Sequence, residues 1–357
     1  MKLEQENELM RYTLRTDLAH EDVSRRKPEE LPDVQREELD VQGLRVQKTV
    51  IGETAAEKLK KRAGSYFLIE LEPGDYHDSK TCRKIELALS EVLDYMLTDL
   101  GVKGKRALVV GLGNVNVTPD SLGPYVLDNI IVTRHLFELG TVSEGYSEVC
   151  GMSPGVMGTT GIETYDIINA VRGQVEVEFL IVIDALAAAS IARVNRSIQI
   201  TDAGISPGSG VGNKRKEISS QTMGVPVIAI GVPTVVDAVT ITSDTIDFIL
   251  KYLNQEAFGE KRLAEALAST PLKQDFSELE LPKEDLREQW MGKIGLLTEA
   301  EKRSLIKEVL TPQGYNMMVT PKEVDADVED LAKLIATSID ITLHESYRNT
   351  YLSEKHI

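Results

Sequence analysis

The sequence predicts an α/β protein: a three-layer sandwich on a mainly parallel, twisted sheet, with smaller additional β and helical elements. Three observations predict it. Ala107 to Val110, Phe179 to Ile183 and Val225 to Ile230 are short continuous apolar runs, the pattern of strands covered on both faces. Apolar residues at helical spacing lie among them, most clearly Ile85, Leu89, Val92, Met96 and Leu100. The first run passes through the glycine turn Gly111-Leu112-Gly113-Asn114 toward a helix-forming stretch at Tyr125 to Leu139, a strand-loop-helix unit of the kind that builds parallel sheets.

Taken in order, residues 1 to about 42 are dense in charge and show little hydrophobic periodicity, so they read as an arm outside the core. Leu44 to Ile51 and Tyr66 to Leu71 have the composition of strands. Helical segments near Glu163 to Val171 and Val235 to Leu253 accompany the later buried runs. Further helices are expected at Leu281 to Glu288, Thr298 to Val309 and Val328 to His344, joined by Pro-containing turns. The resulting division is a core at 43–257 and a helical C-terminal region at 258–357.

Charge and cysteine usage narrow the function classes. The 357 residues include 40 Lys and Arg against 57 Asp and Glu, a net charge of −17. That field repels phosphate backbones and anionic lipid, so neither direct nucleic-acid binding nor membrane binding is expected. Cys82 and Cys150 lack the spacing of a zinc site or a disulfide framework. Met1 to Tyr12 has no apolar core of signal-peptide length and no later run is long enough to span a bilayer, so a soluble cytoplasmic protein is expected.

Ligands and catalytic groups of open α/β sheets gather at the carboxyl ends of the strands. Two aspartates are expected there: Asp120, in the loop after the first apolar run, and Asp184, ending the run Leu180 to Ile183. Neighbouring carboxylates can share a proton, one activating water while the other protonates. The simpler reading makes Asp120 a helix cap and Asp184 a partner of loop backbone. The segment Gly151-Met152-Ser153-Pro154-Gly155 formally matches a serine nucleophile elbow, but the residue after the serine must supply an oxyanion N–H and Pro154 has none. Cys150 reads as inert, and no His-Glu-x-x-His zinc helix occurs. Gly158-Thr159-Thr160-Gly161 precedes Glu163, so Thr160 and Glu163 have capping-box spacing, and the free amides of this loop can also hold a substrate carbonyl. Gly204 to Asn213 reads as a substrate-facing loop, and Asp202 beside it as a turn-forming residue or a third carboxylate orienting the site.

The motifs Gly111-Leu112-Gly113-Asn114, Pro119-Asp120-Ser121-Leu122-Gly123-Pro124, Ile183-Asp184-Ala185-Leu186-Ala187, Ser153 to Gly161 and Thr201 to Gly208 together resemble the germination proteases of spore-forming bacteria, and the likeness runs through essentially the whole chain. The resemblance implies an endopeptidase of the spore core that degrades small acid-soluble spore proteins on germination, works as a homotetramer and is made as a precursor. It implies cleavage after an acidic residue that follows a hydroxyl residue and precedes an apolar and then a small one. Thr16-Asp17-Leu18-Ala19 fits, so residues 1–17 are expected to be a propeptide removed between Asp17 and Leu18, with 18–42 the remaining arm. Catalysis is expected from Asp120 and Asp184, with Gly113, Asn114, Gly158, Thr159, Thr160, Gly161, Asp202 and Gly204 as candidate substrate or oxyanion positions. The core is also similar to hydrogenase maturation proteases, which contact a metal through two such acids and a histidine. No equivalent histidine is evident here, and neither metal nor cofactor is expected. The alternatives are a metal-assisted peptidase of that second kind and a non-enzymatic α/β protein binding an anionic ligand.

Overall fold

The structure, a computed structural model, describes residues 16–72, 74–208, 215–258, 279–310 and 317–353. The chain forms two compact units, and among the described residues the larger comprises 16–235 and 320–353 and the smaller 236–258, 279–310 and 317–319.

The fold is α/β, around a mixed sheet of strands β1 (Val34–Val41), β2 (Leu44–Ile51), β3 (Gly64–Glu70), β4 (Ala107–Gly111), β5 (Val149–Met152), β6 (Phe179–Ala188), β7 (Ser197–Thr201), β8 (Val227–Asp237) and β9 (Met318–Val319). The order is β1-β2-β3-β7-β8-β6-β4-β5, with β9 pairing the end of β8. Strands β6, β4 and β5 are parallel neighbours, whereas β1, β2, β3, β7 and β8 pair antiparallel where β1–β2, β2–β3, β3–β7 and β7–β8 meet.

Alternation along the central strands explains the layers. Val109, Ile181 and Ile183 face one side, packing with Ile85, Leu89 and Leu93 of helix α3 (Ser79–Asp99). Leu108, Val110, Leu180 and Val182 face the other, with Ile168 of helix α7 (Thr164–Val175). Each such buried aliphatic side chain contributes roughly 1.5–3 kcal/mol, which is why the continuous apolar runs become strands covered on both faces.

Three sequence expectations change here. Residues 18–42 are not an arm outside the core: Ala19–Ser24 form helix α1, whose Ala19 and Val23 join Ile51, Ala55 and Tyr66 in a third apolar cluster, and residues 34–41 are strand β1. Only two residues of α1, Ala19 and Val23, bury apolar side chains, too few to register as periodicity in a charged segment. The expected helix over Tyr125 to Leu139 is two, α4 (Leu122–Asn129) and α5 (Arg134–Leu139), because Ile130 is extended and the Ile131 N–H donates to the buried Asp340 carboxylate at 3.0 Å. The C-terminal region is not a separate helical addition. Helix α12 (Val324–Leu343) packs Val328, Leu331, Ile335 and Ile339 into the main core, while α9 (Ala238–Phe258), α10 (Glu284–Met291) and α11 (Glu299–Leu310) belong to the smaller unit.

Candidate active site

Two strand ends and a doubled-back loop build the site. Beyond the last paired residues of β4 and β6, the Leu112 N–H donates to the Ile183 carbonyl at 2.8 Å. The loop then returns: the Asn114 N–H donates to the Asp120 carbonyl at 2.9 Å, and the Thr234 hydroxyl donates to the Pro119 carbonyl at 2.6 Å. This close approach explains the glycines of the motif. Gly113 has φ +112°, and a Cβ there would lie 1.9 Å from the Asp120 carbonyl oxygen; a Cβ on Gly111 would lie 2.2 Å from the Gly123 carbonyl oxygen. Gly113 and Asn114 therefore hold Asp120 against the end of the sheet by backbone geometry.

Strand β6 does not stop at Ile183, as expected, but continues to Ala188, so Asp184 is a strand residue at the point where pairing with β4 ends. By alternation its side chain shares the face of Leu180 and Val182. It is 6% exposed, and Oδ1 accepts from the Ala185 N–H at 3.0 Å. Burial, reinforced by the nearby Asp120 and Asp17 carboxylates, pushes its carboxyl well above the ordinary range. Asp120 is half-buried, and burial pushes it up to about 6 against the opposing Asn114 N–H. Two carboxyls raised by burial therefore stand near one another, and the Asp120 charge adds to the rise at Asp184, beyond what capping a turn requires.

The third component is the segment containing Asp17. Its N–H donates to the Ala187 carbonyl at 3.0 Å, and the Ala187 N–H donates to its Oδ2 at 2.9 Å. Just past the end of the strand, the Ala189 N–H donates to Glu21 at 2.8 Å, and the Thr16 hydroxyl donates to that same carboxylate. The Thr16 Oγ1 accepts from the Leu18 N–H at 3.0 Å, and the Thr16 carbonyl accepts from Lys61 Nζ at 2.7 Å. Gln199, in the middle of β7, spans Leu18: Oε1 accepts from the Ala19 N–H at 2.8 Å, and Nε2 donates to the Asp17 carbonyl at 3.4 Å. Leu18 is fully buried.

Asp120, Asp184, Gly113 and Asn114 thus come together with Asp17 and Leu18. The remaining candidates do not join them through any described hydrogen bond. Gly158, Thr159 and Thr160 lie on an exposed turn of helix α6 (Met157–Thr160), ended by Gly161 in the left-handed conformation. No Thr160–Glu163 capping box forms. Thr160 Oγ1 instead donates within its own turn and accepts from the Ile162 N–H at 3.1 Å, while Glu163 pairs with Arg215 at 3.7 Å. Asp202 accepts from the Ser65 N–H at 2.7 Å and fastens β7 to β3, as a turn-forming aspartate would. Gly204, at φ +85°, makes room for the Ile205–Ile218 bridge, since a Cβ there would lie 2.5 Å from the Ile218 carbonyl. Residues 209–213 of the expected substrate loop lie outside the described residues. Burial pushes the Cys150 thiol up, consistent with an inert residue.

Gln199, Glu21 and the Ala187 and Ala189 amides were not anticipated. Backbone amides leave no mark in a sequence, but Gln199 does leave one: Ser197-Ile198-Gln199-Ile200-Thr201 alternates in a strand that is buried throughout. A polar row with no access to solvent must meet polar partners. Among the described residues no three His, Cys, Asp or Glu side chains converge as a metal site would require.

Comparison with known proteins agrees with these motifs. Residues 14–353 match the germination protease family. The germination proteases of Bacillus cytotoxicus and Bacillus mycoides are each 48% identical over 349 residues, covering 94% of this chain and 95% of theirs. That of Bacillus cereus is 47% identical over the same length and with the same coverage. Among solved structures, a NiFe hydrogenase maturation protease from Thermococcus kodakarensis aligns at 19% identity with a TM-score of 0.26, covering 40% of this chain and 80% of that one. Matched over nearly its whole length, the chain belongs to the germination protease family and is a protease.

Proposed function

We propose that this protease is made as a zymogen, cuts its own Asp17–Leu18 bond, and then degrades small acid-soluble spore proteins in the germinating spore core, using Asp120 and Asp184 to activate water. The observation that carries the reading is the double hydrogen bond between Asp17 and Ala187, three residues beyond Asp184 on the same strand. Asp17, the residue before the expected cut, is tied to β6 through its backbone N–H and its carboxylate, and its charge bears on the Asp184 carboxyl.

The environments support a division of labour. Asp184, the more deeply buried carboxyl, with Asp120 and Asp17 nearby, holds its proton to higher pH than an ordinary carboxyl and serves as the general acid. Asp120, at about 6, is ionised near neutrality and serves as the base. Water oxygen adds to the Asp17 carbonyl carbon as Asp120 takes a water proton. Collapse of the tetrahedral adduct breaks the C–N bond, and its electron pair on the Leu18 nitrogen takes the Asp184 proton. The products are the Asp17 carboxyl terminus and a Leu18 amine.

The same contacts account for the cleavage pattern implied by the family. An acidic residue before the cut meets the Ala187 N–H, and the hydroxyl of the residue before it accepts from the N–H of the bond to be broken. While residues 16–19 occupy this position no other chain can pair there, so the precursor is self-inhibited. Residues 1–15 of the propeptide lie outside the described residues. Assembly as a homotetramer is part of the proposal, tested by light scattering of the purified chain.

The deciding experiment incubates the full-length protein and its Asp184→Asn variant with a small acid-soluble spore protein and maps every new terminus by mass spectrometry. The proposal expects a Leu18 terminus and cuts after acidic residues in the wild type, with neither in the variant. Equal cutting by both discards the aspartate pair. Absence of cutting by either, even after residues 1–17 are deleted, discards the proposed substrate and the self-processing reading.

A further inference from the structure

We infer that Gln199 is a further catalytic residue, its Nε2 stabilising the oxyanion that forms on the carbonyl of the residue before the cut bond. The inference rests on the self-processing reading of Asp17–Leu18. Three observations carry it. Gln199 is held rigidly, 6% exposed in the middle of β7, paired to Leu68 on one side and Gly231 on the other. Its amide orientation is determined by chemistry: the Ala19 N–H is a donor only, so the atom facing it at 2.8 Å is the acceptor Oε1, and the Nε2 donor faces the Asp17 carbonyl oxygen. That contact is 3.4 Å, long for a bond to a neutral carbonyl. When water adds to the carbon, the carbonyl π pair moves to the oxygen, which gains charge and leaves the peptide plane. A fixed donor at the margin of ground-state reach is the arrangement that favours this state over the uncut peptide.

A purely structural role explains only half of the geometry. Helix α1 begins at Ala19, and its N-cap residue Leu18 has no side-chain cap, so Oε1 satisfies one first-turn amide. Capping gives no reason for the other end of the carboxamide to meet the carbonyl of the scissile bond. The nearby cation is not an alternative, since Lys61 Nζ is bonded to the Thr16 carbonyl, one residue upstream.

The test uses the full-length chain, following the first-order appearance of the Leu18 terminus by mass spectrometry and amide exchange of residues 16–24 and of β7. Gln199→Glu keeps an acceptor for Ala19 and removes the donor; Gln199→Met keeps the volume and serves where the glutamate disturbs the strand. Loss of one oxyanion donor is expected to slow cleavage by about 10²–10³-fold, with exchange of residues 16–24 in Gln199→Glu unchanged. Both variants cutting within about threefold of wild type, the rate change of roughly 0.7 kcal/mol, while Asp184→Asn does not cut, would overturn the role of Gln199 and leave self-processing intact. Asp184→Asn cutting at the wild-type rate would instead bring down the reading beneath it. Parallel loss of rate and of exchange protection at residues 16–24 would reduce Gln199 to a docking residue and overturn the inference.

Discussion

Asp17 and Ala187 are bonded to one another twice, N–H to carbonyl at 3.0 Å and N–H to carboxylate at 2.9 Å. One strand residue therefore reads both the backbone and the acidic side chain of the residue preceding the proposed cut. A hydrogen bond to a charged group contributes about 1.5–3 kcal/mol, so Asp17→Leu should slow self-cleavage by roughly 10–100-fold. Asp17→Glu should slow it less, because the carboxylate is retained. The single-turnover rate at which the Leu18 terminus appears checks both.

The proposed roles have a pH signature. Asp120 must be ionised, so cleavage should rise with pH through about 6. Asp184 must keep its proton, which burial and the Asp17 and Asp120 charges favour, so the rate should fall again on the alkaline side. Removing one of those charges with Asp17→Asn should move the descending limb to lower pH and leave the ascending limb in place. A pH–rate profile of the two proteins measures this directly.

Gly113→Ala should slow cleavage about 10²-fold without touching a carboxyl. Its φ of +112° is unfavourable for alanine, and the new Cβ would sit 1.9 Å from the Asp120 carbonyl oxygen, so the Asp120 loop must shift. A displacement of about 1 Å is enough to cost around 10²-fold in rate. The expected loss of thermal stability is about 2–4 kcal/mol, from strain at the special backbone conformation and displacement of the loop. Calorimetry together with the cleavage assay separates the two effects.

Stability should carry its own pH dependence through Asp340. The side chain is 3% exposed on α12, accepts from the Ile131 N–H, and is pushed up to about 7 by burial. A carboxyl whose folded pKa is raised contributes stability that is complete below its unfolded value and lost as pH rises through the folded one. Wild-type melting temperature should therefore fall between about pH 4 and pH 7. Asp340→Asn, which cannot ionise, should show a smaller fall and be the more stable protein at pH 8, by about 1–3 kcal/mol. Thermal melts of both proteins across that range decide it.

Much of this was legible in the order of residues. The apolar runs at 107–110, 179–183 and 225–230 identify buried strands because strands covered on both faces require side chains that avoid water on both. Gly113 and Asp120 are linked through a local turn, so their partnership is written within eight residues of sequence. Glu163 shows the limit of such reading: it has the spacing of a capping box with Thr160, but Gly161 ends the preceding turn and Glu163 instead meets Arg215. In the same way, a helix expected to run from Tyr125 to Leu139 breaks because Asp340, more than two hundred positions away, takes the Ile131 N–H.

Local order thus specified the strand runs and the glycine turn, and it marked Asp120 and Asp184 as candidates, because each depends on side-chain type or on neighbours a few residues away; Asp17 was marked by the cleavage pattern that the family resemblance implies. Only the folded chain decided that Asp17 pairs with Ala187 and that Gln199 reaches the groups on both sides of Leu18. Those contacts join residues 170 to 182 positions apart, partly through backbone groups that every residue possesses. Burial likewise acts through the surroundings: it takes three aspartates with the same intrinsic chemistry and leaves Asp120 at about 6, Asp340 at about 7 and Asp184 well above the ordinary range, since the cost of desolvating a charge is a property of the place it occupies.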